Sequence, residues 1–236
     1  EAIRATVGEY HFAGQYQQSP VPLGGGIIPA AWLTFLPAAQ WPGRFENIVQ
    51  SWDTASKGTD LASYSVCTTW GIMNGKMYLI DVFRERLDFP ALRKKAFELN
   101  DRYKPKTILV EDKVAGTQRI QQFKNDKRYH VRAVKPEGDK VRRLTMHSAY
   151  IESGALVLPE AAPWLAEYVK ELTSFRATKF ADQVDSTTQA LDWRQKAANQ
   201  PELVYLIRRD IEAEVAAGKK DPAELDAFDA AWMNGG

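Results

Sequence analysis

The chain has 236 residues, of which 44% are hydrophobic, and this is enough to bury a substantial core. Its 31 Lys and Arg residues nearly balance 30 Asp and Glu residues, so the net charge of +1 excludes a generally basic molecule, and any nucleic-acid contact must be local. One cysteine excludes an intramolecular disulfide, and no apolar run approaches the roughly 18 residues of a membrane span. We therefore expect a cytoplasmic protein with one core.

The first 45 residues lack sustained periodicity and contain chain breakers such as Gly24-Gly25-Gly26 and Pro42-Gly43. This pattern predicts an arm or linker over residues 1–45. The chain begins without an initiator Met, and Phe12 and Tyr16 need a surface to pack on, so we expect the sequence to be part of a longer protein.

Three strand-like runs follow the arm, at Ile48 to Asp53, Tyr64 to Trp70 and Met77 to Phe83. The dipeptide Asn74-Gly75 is a strong hairpin signal between the last two runs, so we expect an antiparallel meander. Apolar residues at helical spacing then predict a helix over Phe89 to Tyr103.

The continuous apolar run Thr107 to Glu111 is typical of a strand that is buried on both faces. A helix over Thr117 to Phe123 and a strand over His130 to Val134 come next, so the late strands should be parallel. The fold class is therefore α/β, with a mixed sheet of three antiparallel strands followed by parallel strands and flanked by helices. Further helices are predicted at Val141 to Ser153, Trp164 to Arg176, Val184 to Lys196, Glu202 to Ala217 and Pro222 to Trp232.

Acidic residues stand at positions where apolar ones are expected. Asp53 and Glu111 each close an apolar strand, and Asp182 and Asp185 would share a helix face. Side chains at neighbouring strand ends can converge on one pocket. If these carboxylates do so, their hard oxygen atoms favour Mg²⁺ or Mn²⁺ over zinc.

Each of these acids also has an ordinary structural interpretation. Asp53 is compatible with an ion pair to an arginine, Asp182 with a helix N-cap, and Asp185 with an early helical acid favoured by the helix dipole. His147 lies on a predicted helix, where we expect a packing or surface role rather than general-base work. The residues alone leave these alternatives open.

Local positive charge lies close in sequence to the proposed carboxylate pocket. The candidate contacts to phosphate groups are Lys113, Lys140, Arg142 and Arg143. No glycine-rich phosphate-binding loop ending in Gly-Lys-Ser/Thr is present in the sequence, so we do not expect this chain to hydrolyse ATP by itself.

Several segments in this order resemble the phage terminase large subunits, over roughly residues 45 to 195. They are Ser51-Trp52-Asp53-Thr54-Ala55, Val110-Glu111 with Ala115-Gly116-Thr117, Gly138-Asp139-Lys140 to Arg143, Ser153-Gly154-Ala155-Leu156-Val157-Leu158-Pro159, and Ala181-Asp182-Gln183-Val184-Asp185 to Leu191. Upstream, Phe12 to Pro20 resembles the segment that leaves the ATPase domain in that family.

The resemblance implies a ribonuclease H-like fold, a site for two Mg²⁺ or Mn²⁺ ions, and cutting of concatemeric double-stranded viral DNA around genome packaging. Asp53 and Glu111 match the first two family carboxylates, and Asp182 with Asp185 matches the third. The family often has His or Asp directly before the third Asp, whereas this chain has Phe180-Ala181.

The resemblance also implies an organisation and a set of partners. We expect a linker from an ATPase domain at residues 1–45, the nuclease domain at residues 46–199 and a helical tail at residues 200–236. The implied partners are double-stranded DNA, a terminase small subunit and a portal protein, in the host cytoplasm and with no membrane. The alternatives are another ribonuclease H-like nuclease, such as a junction resolvase, and a non-catalytic module that docks a motor on a portal.

Overall fold

The structure is a computed structural model that describes residues 26–54, 64–111, 131–136, 138–175, 181–199, 201–226 and 228. In this part of the chain a sheet of seven strands has the order β1-β7-β4-β3-β2-β5-β6. The strands are β1 (Thr34–Leu36), β2 (Asn47–Asp53), β3 (Ser65–Met73), β4 (Lys76–Glu85), β5 (Thr107–Glu111), β6 (Val131–Val134) and β7 (Leu156–Pro159). Strands β2, β3 and β4 are antiparallel, and β5, β6 and β7 join them in parallel, which confirms the predicted mixed sheet.

Helices cover both faces of this sheet. They are α1 (Phe89–Tyr103), α2 (Lys140–Met146), α3 (Ser148–Glu152), α4 (Leu165–Thr173), α5 (Asp182–Asn199) and α6 (Pro201–Ala216). The single helix expected over Val141 to Ser153 is two helices, because His147, with φ −98° and ψ 1°, interrupts it. Within the described ranges, no helix is long and apolar enough to cross a membrane. The helix expected at Thr117 to Phe123 lies outside the described residues.

The hairpin between β3 and β4 has the predicted turn. Asn74 and Gly75 have φ values of +50° and +71°, the positive values that a type I′ turn requires. Met73 pairs directly with Lys76, so the loop has two residues and fixes the register of the longest strand pair. The local sequence is sufficient to predict this hairpin, because the two turn residues determine how the residues of β3 and β4 pair.

The described part of the predicted arm belongs to the folded core, which corrects the expectation of an arm for residues 26–45. Strand β1 pairs in parallel with β7 at one edge of the sheet, and Ile28 and Leu33 are buried. Gly26 lies so close to α4 that a Cβ atom there would stand 1.8 Å from the Thr173 carbonyl oxygen. Strands of three and four residues between prolines carry too little periodicity to be detected, and their pairing is long-range.

Two hydrophobic clusters define two faces of the sheet. On the front face, Trp70, Leu144, Tyr168 and Leu191 belong to a cluster between the sheet and helices α2, α4 and α5. On the back face, a second cluster under α1 contains Trp52, Phe83, Leu92, Leu99 and Val110. The carboxyl-terminal ends of β2 and β5 therefore pack in the back cluster through Trp52 and Val110, and both strands also contact α5.

The C-terminal part of the described chain is attached at the end of the sheet where β2 begins. Arg44, just before β2, binds Glu224 at 2.8 Å, and within the tail Lys220 binds Glu214 at 2.7 Å. Asp53 closes the same strand at its other end. These contacts of the tail are thus remote from the strand ends that carry Asp53 and Glu111.

Candidate functional site

Asp53 and Glu111 lie side by side at the carboxyl-terminal ends of β2 and β5, at the edge of the sheet that is formed by strand ends rather than by an edge strand. Strands β2 and β5 are parallel with Trp52 in register with Val110, so Asp53 and Glu111 are the next pair, on strands about 4.8 Å apart. Trp52 and Val110 pack in the back cluster, and because side chains alternate along a strand, Asp53 and Glu111 face the front. Asp53 is only 5% exposed.

Helix α5 crosses this front face and is fixed to it by buried polar contacts. The Ser51 hydroxyl donates to the Ser186 carbonyl at 2.7 Å, and the Ser186 hydroxyl donates to the Ser51 carbonyl at 2.7 Å. The backbone N–H of Thr68 donates to the same Ser186 hydroxyl at 3.2 Å, and Gln189 donates to the Trp52 carbonyl at 3.3 Å. We call Ser51, Thr68, Ser186 and Gln189 the polar seam. Their hydrogen bonds fix the position of α5 along β2.

The polar seam brings Asp182 to the same edge as Asp53. Asp182 comes one helical turn, about 5.4 Å, before Ser186. Asp53 comes two strand residues, about 6.6 Å, after Ser51. Since α5 starts at this edge and ends near the turn at Gly75, where Arg194 donates to the Gly75 carbonyl, both acids lie beyond the polar seam in the same direction.

Asp185 has a different environment, because it faces α2. One carboxylate oxygen accepts from Arg143 at 2.7 Å and the other pairs with Lys140, while Arg143 also donates to the Gly138 carbonyl at 3.2 Å. Asp185 and Arg143 are both more than nine-tenths buried. The structure therefore places Asp185 in an ion-pair cluster that joins α5 to α2.

The predicted cationic residues have three different placements. Lys140 is half exposed beside Asp185, and Arg142 is exposed on α2. Arg143 is buried, so its guanidinium binds the protein rather than facing solvent. Lys113 lies outside the described residues.

His147 is buried, which favours the packing role over the surface role that the sequence also allowed. It is 4% exposed at the junction of α2 and α3, and its Nε2 lies 2.6 Å from a carboxylate oxygen of Asp192 on α5. This contact is a second link to α5, made by the residue that directly follows α2.

The structure adds one residue that sequence reasoning missed, Glu171 on α4. Its carboxylate accepts hydrogen bonds from the backbone N–H groups of Gln183 and Val184 at 2.7 and 3.2 Å, at the start of α5. Burial raises the pKa of Glu171 above its ordinary value, against the effect of these donors. The helix begins at Asp182, two residues before the predicted start, and Ala181 before it has no side-chain acceptor, which favours a cap from another element.

The donor chemistry at this edge fits a hard divalent cation, since Asp53 and Glu111 offer carboxylate oxygens at the ends of adjacent strands. Asp182 is placed at the same edge. Among the described residues, no group of three or more His, Cys, Asp and Glu side chains is close enough to hold a metal ion. The structure thus brings the carboxylates of Asp53 and Glu111 close to the start of α5. Binding of a metal ion by the four candidate carboxylates stays a prediction.

Solved structures with the same fold include large terminases from thermophilic bacteriophages. One thermophilic bacteriophage large terminase is 13% identical and has a TM-score of 0.52, and the match covers 70% of this chain and 44% of that one. The large terminase nuclease of phage G20c is 11% identical, with a TM-score of 0.51 and coverage of 71% and 98%. The G20c nuclease with bound magnesium is 12% identical, with a TM-score of 0.52 and coverage of 71% and 96%.

Sequence comparisons place the chain more specifically than these distant structures do. Curated protein sequences give no match. The family model described as the terminase RNaseH-like domain matches residues 50–193, a range that runs from within β2 through most of α5 and contains all four candidate carboxylates. The chain therefore belongs to the family of terminase RNaseH-like domains, and its mixed sheet is an RNase H-like fold.

Proposed function

We propose that this chain is an endonuclease that cuts double-stranded viral DNA concatemers during genome packaging, by metal-dependent phosphodiester hydrolysis. The observation that carries the proposal is that Asp53 and Glu111 lie side by side at the ends of two neighbouring strands, beneath the start of α5. Membership of the terminase RNaseH-like family supports this interpretation of the site over an ordinary ion-pair role for Asp53.

The proposed cofactor is a pair of divalent ions, Mg²⁺ or Mn²⁺. Related G20c nuclease structures hold magnesium in one case and zinc in another, which supports a divalent ion in this family. When bound, two such ions supply positive charge to the attacking water and to the leaving oxygen of an in-line displacement. Oxygen-only donors at this edge favour Mg²⁺ or Mn²⁺ for the present chain.

Some residues of the chain are the proposed ligands of the metal ions, and other residues hold these ligands in position. Asp53, Glu111 and Asp182 are the proposed ligands. Strands β2 and β5 pack in the back cluster and contact α5, so the first two carboxylates need little reorganisation to bind an ion. The polar seam fixes α5, and with it Asp182, at the height of Asp53.

We assign Asp185 a supporting role beside these ligands. Both of its carboxylate oxygens are paired with cations, so ligation of a metal by Asp185 would require Arg143 or Lys140 to move. Asp185 instead orients Lys140 at the edge of the site. Lys140 and Arg142 are then the proposed phosphate contacts among the described residues, while Arg143 holds Asp185.

The match covers 44% of the length of the first large terminase described above, so the chain spans less than half of that protein. We propose that it works beside an ATPase domain in a longer protein, together with a terminase small subunit and a portal protein in the host cytoplasm. The phosphate contacts predict DNA binding that depends on salt and little on sequence.

The decisive experiment is cleavage of a supercoiled plasmid in EDTA, Mg²⁺ or Mn²⁺ by the unmodified chain and by Asp53→Asn and Asp182→Asn. Asp101→Asn is the matched control, because Asp101 is an exposed acid on the back-face helix α1. We expect metal-dependent cutting that both site variants lose and the control keeps. Full cutting by Asp53→Asn would refute the proposal.

Two other results would point to the competing functions. Preference for a four-way junction over linear DNA would indicate a junction resolvase. A chain that neither cuts nor gains thermal stability with Mn²⁺ would indicate a docking module, since a ligand that binds only the folded state must raise its apparent stability.

A further inference from the structure

The first turn of α5 needs acceptors that its own sequence does not supply. The first backbone hydrogen bond of the helix runs from the Asp185 N–H to the Ala181 carbonyl at 2.9 Å. The preceding N–H groups, those of residues 182–184, therefore have no acceptor within the helix. In most helices a Ser, Thr, Asp or Asn side chain at the N-cap position binds one of them, but Ala181 stands there.

Glu171 supplies these acceptors from a different helix. One of its carboxylate oxygens accepts from the N–H groups of Gln183 and Val184, at 2.7 and 3.2 Å. The other accepts from the side-chain amide of Gln183 at 2.7 Å. The two backbone groups are at the second and third helical positions, the same positions that a local N-cap side chain binds.

Glu171 occupies a position where a core residue would be expected. It is 5% exposed on α4, next to Leu172, which is fully buried in the front cluster. Burying a carboxylate is unfavourable unless hydrogen bonds and a nearby positive potential offset the cost. Three donors and the positive end of the α5 dipole offset part of this cost, so the acid is matched to the start of α5.

We propose that Glu171 is a positioning residue that caps α5 from outside and so holds Asp182 at the sheet edge beside Asp53. This inference rests on the proposed function for the identity of the site. It also explains why Asp182, whose sequence position suggests an N-cap, is not needed as one: the N–H groups that it would bind are bound by Glu171.

The test uses the full chain with Glu171→Ala, and with Glu171→Ala combined with Ala181→Ser, which adds a local cap. Asp88→Ala is the matched control, because Asp88 caps α1 by accepting from the Ala91 N–H at 2.9 Å, on the back face. Two quantities are measured: amide hydrogen exchange at Gln183 and Val184, and the Mn²⁺ concentration that gives half of the maximal thermal stabilisation.

In Glu171→Ala, we expect loss of exchange protection at both amides and a rise of about 10-fold or more in the half-saturating Mn²⁺ concentration, as for residues that orient metal ligands. The hydroxyl added by Ala181→Ser should restore most of both quantities. The Asp88→Ala control should lose stability without a change in the Mn²⁺ midpoint. These results together would support the proposal.

Retained protection with an unchanged Mn²⁺ midpoint in Glu171→Ala would overturn the proposal, and so would an equal shift of the midpoint in Asp88→Ala. If Glu171→Ala does not fold, Glu171→Leu takes its place, because it removes both acceptor oxygens but keeps a side chain of similar size, and the same two criteria apply. If the unmodified chain shows no response to Mn²⁺, the proposed function fails, while amide exchange still decides whether Glu171 caps α5.

Discussion

The guanidinium of Arg143 and the carboxylate of Asp185 meet at 2.7 Å, and each side chain is more than nine-tenths buried. Lys140 binds the other oxygen of the same carboxylate. This cluster joins α2 to α5 on the front face, next to the strand ends that carry Asp53 and Glu111.

We predict that Arg143→Ala destabilises the fold by about 3 kcal/mol, because it leaves a buried carboxylate with only a half-exposed lysine as partner. The double variant Arg143→Ala with Asp185→Ala should lose much less than the sum of the single losses. Urea unfolding of the four proteins measures both values. Additive losses would show that the two residues do not interact in solution.

We predict that Ser186→Ala costs about 1–3 kcal/mol, because it removes a hydroxyl that donates to the Ser51 carbonyl and accepts from the Thr68 N–H in a fully buried location. Ser148→Ala is the control, since its hydroxyl donates to the Thr145 carbonyl at an exposed position. Denaturant midpoints should fall clearly for the first variant and little for the second. Equal shifts would count against the polar seam as an anchor of α5.

We predict a pH dependence that belongs to Glu171. Burial raises the pKa of Glu171 above its ordinary value of 4.5, so the folded state binds a proton that the unfolded state has released. The contribution of this group to stability is thus fully present below pH 4.5 and is lost as the pH rises through the folded-state pKa. Urea unfolding across about pH 4 to 8 should show the unmodified chain losing stability relative to Glu171→Gln as the pH increases. A constant difference would show that the carboxyl group titrates normally.

We predict that removing the residues after Asn199 lowers the melting temperature but leaves metal-dependent cutting per folded molecule unchanged. The truncation removes the partner of Arg44 at the end of the sheet remote from Asp53, together with the buried Ile211. Melting curves and plasmid cleavage at a temperature where both forms are folded test the two parts. A change in cutting rate would show that the tail acts at the site.

The elements that were predictable from the sequence are those whose signals are local. The helix at Phe89–Tyr103 and the strand at Thr107–Glu111 have the predicted bounds, because apolar spacing and a proline in the first turn of the helix are sufficient to define them. Strands β1 and β7 were not predictable, since they are short and each is stabilised by a partner that is distant in the chain. Whether the four candidate acidic residues share one site also depends on contacts between elements that are distant in the chain.

The sequence by itself determined the family, the mixed α/β class and the positions of Asp53 and Glu111 at strand ends, because the order of motifs and the apolar run of each strand are local features of the chain. Only the tertiary structure decided that Asp185 pairs with Arg143 and Lys140, and that Glu171 performs the capping expected of Asp182. Both outcomes depend on which helices pack together. A buried charge is stabilised by whatever partner the packing brings within reach, and the spacing of residues along the chain does not specify that partner.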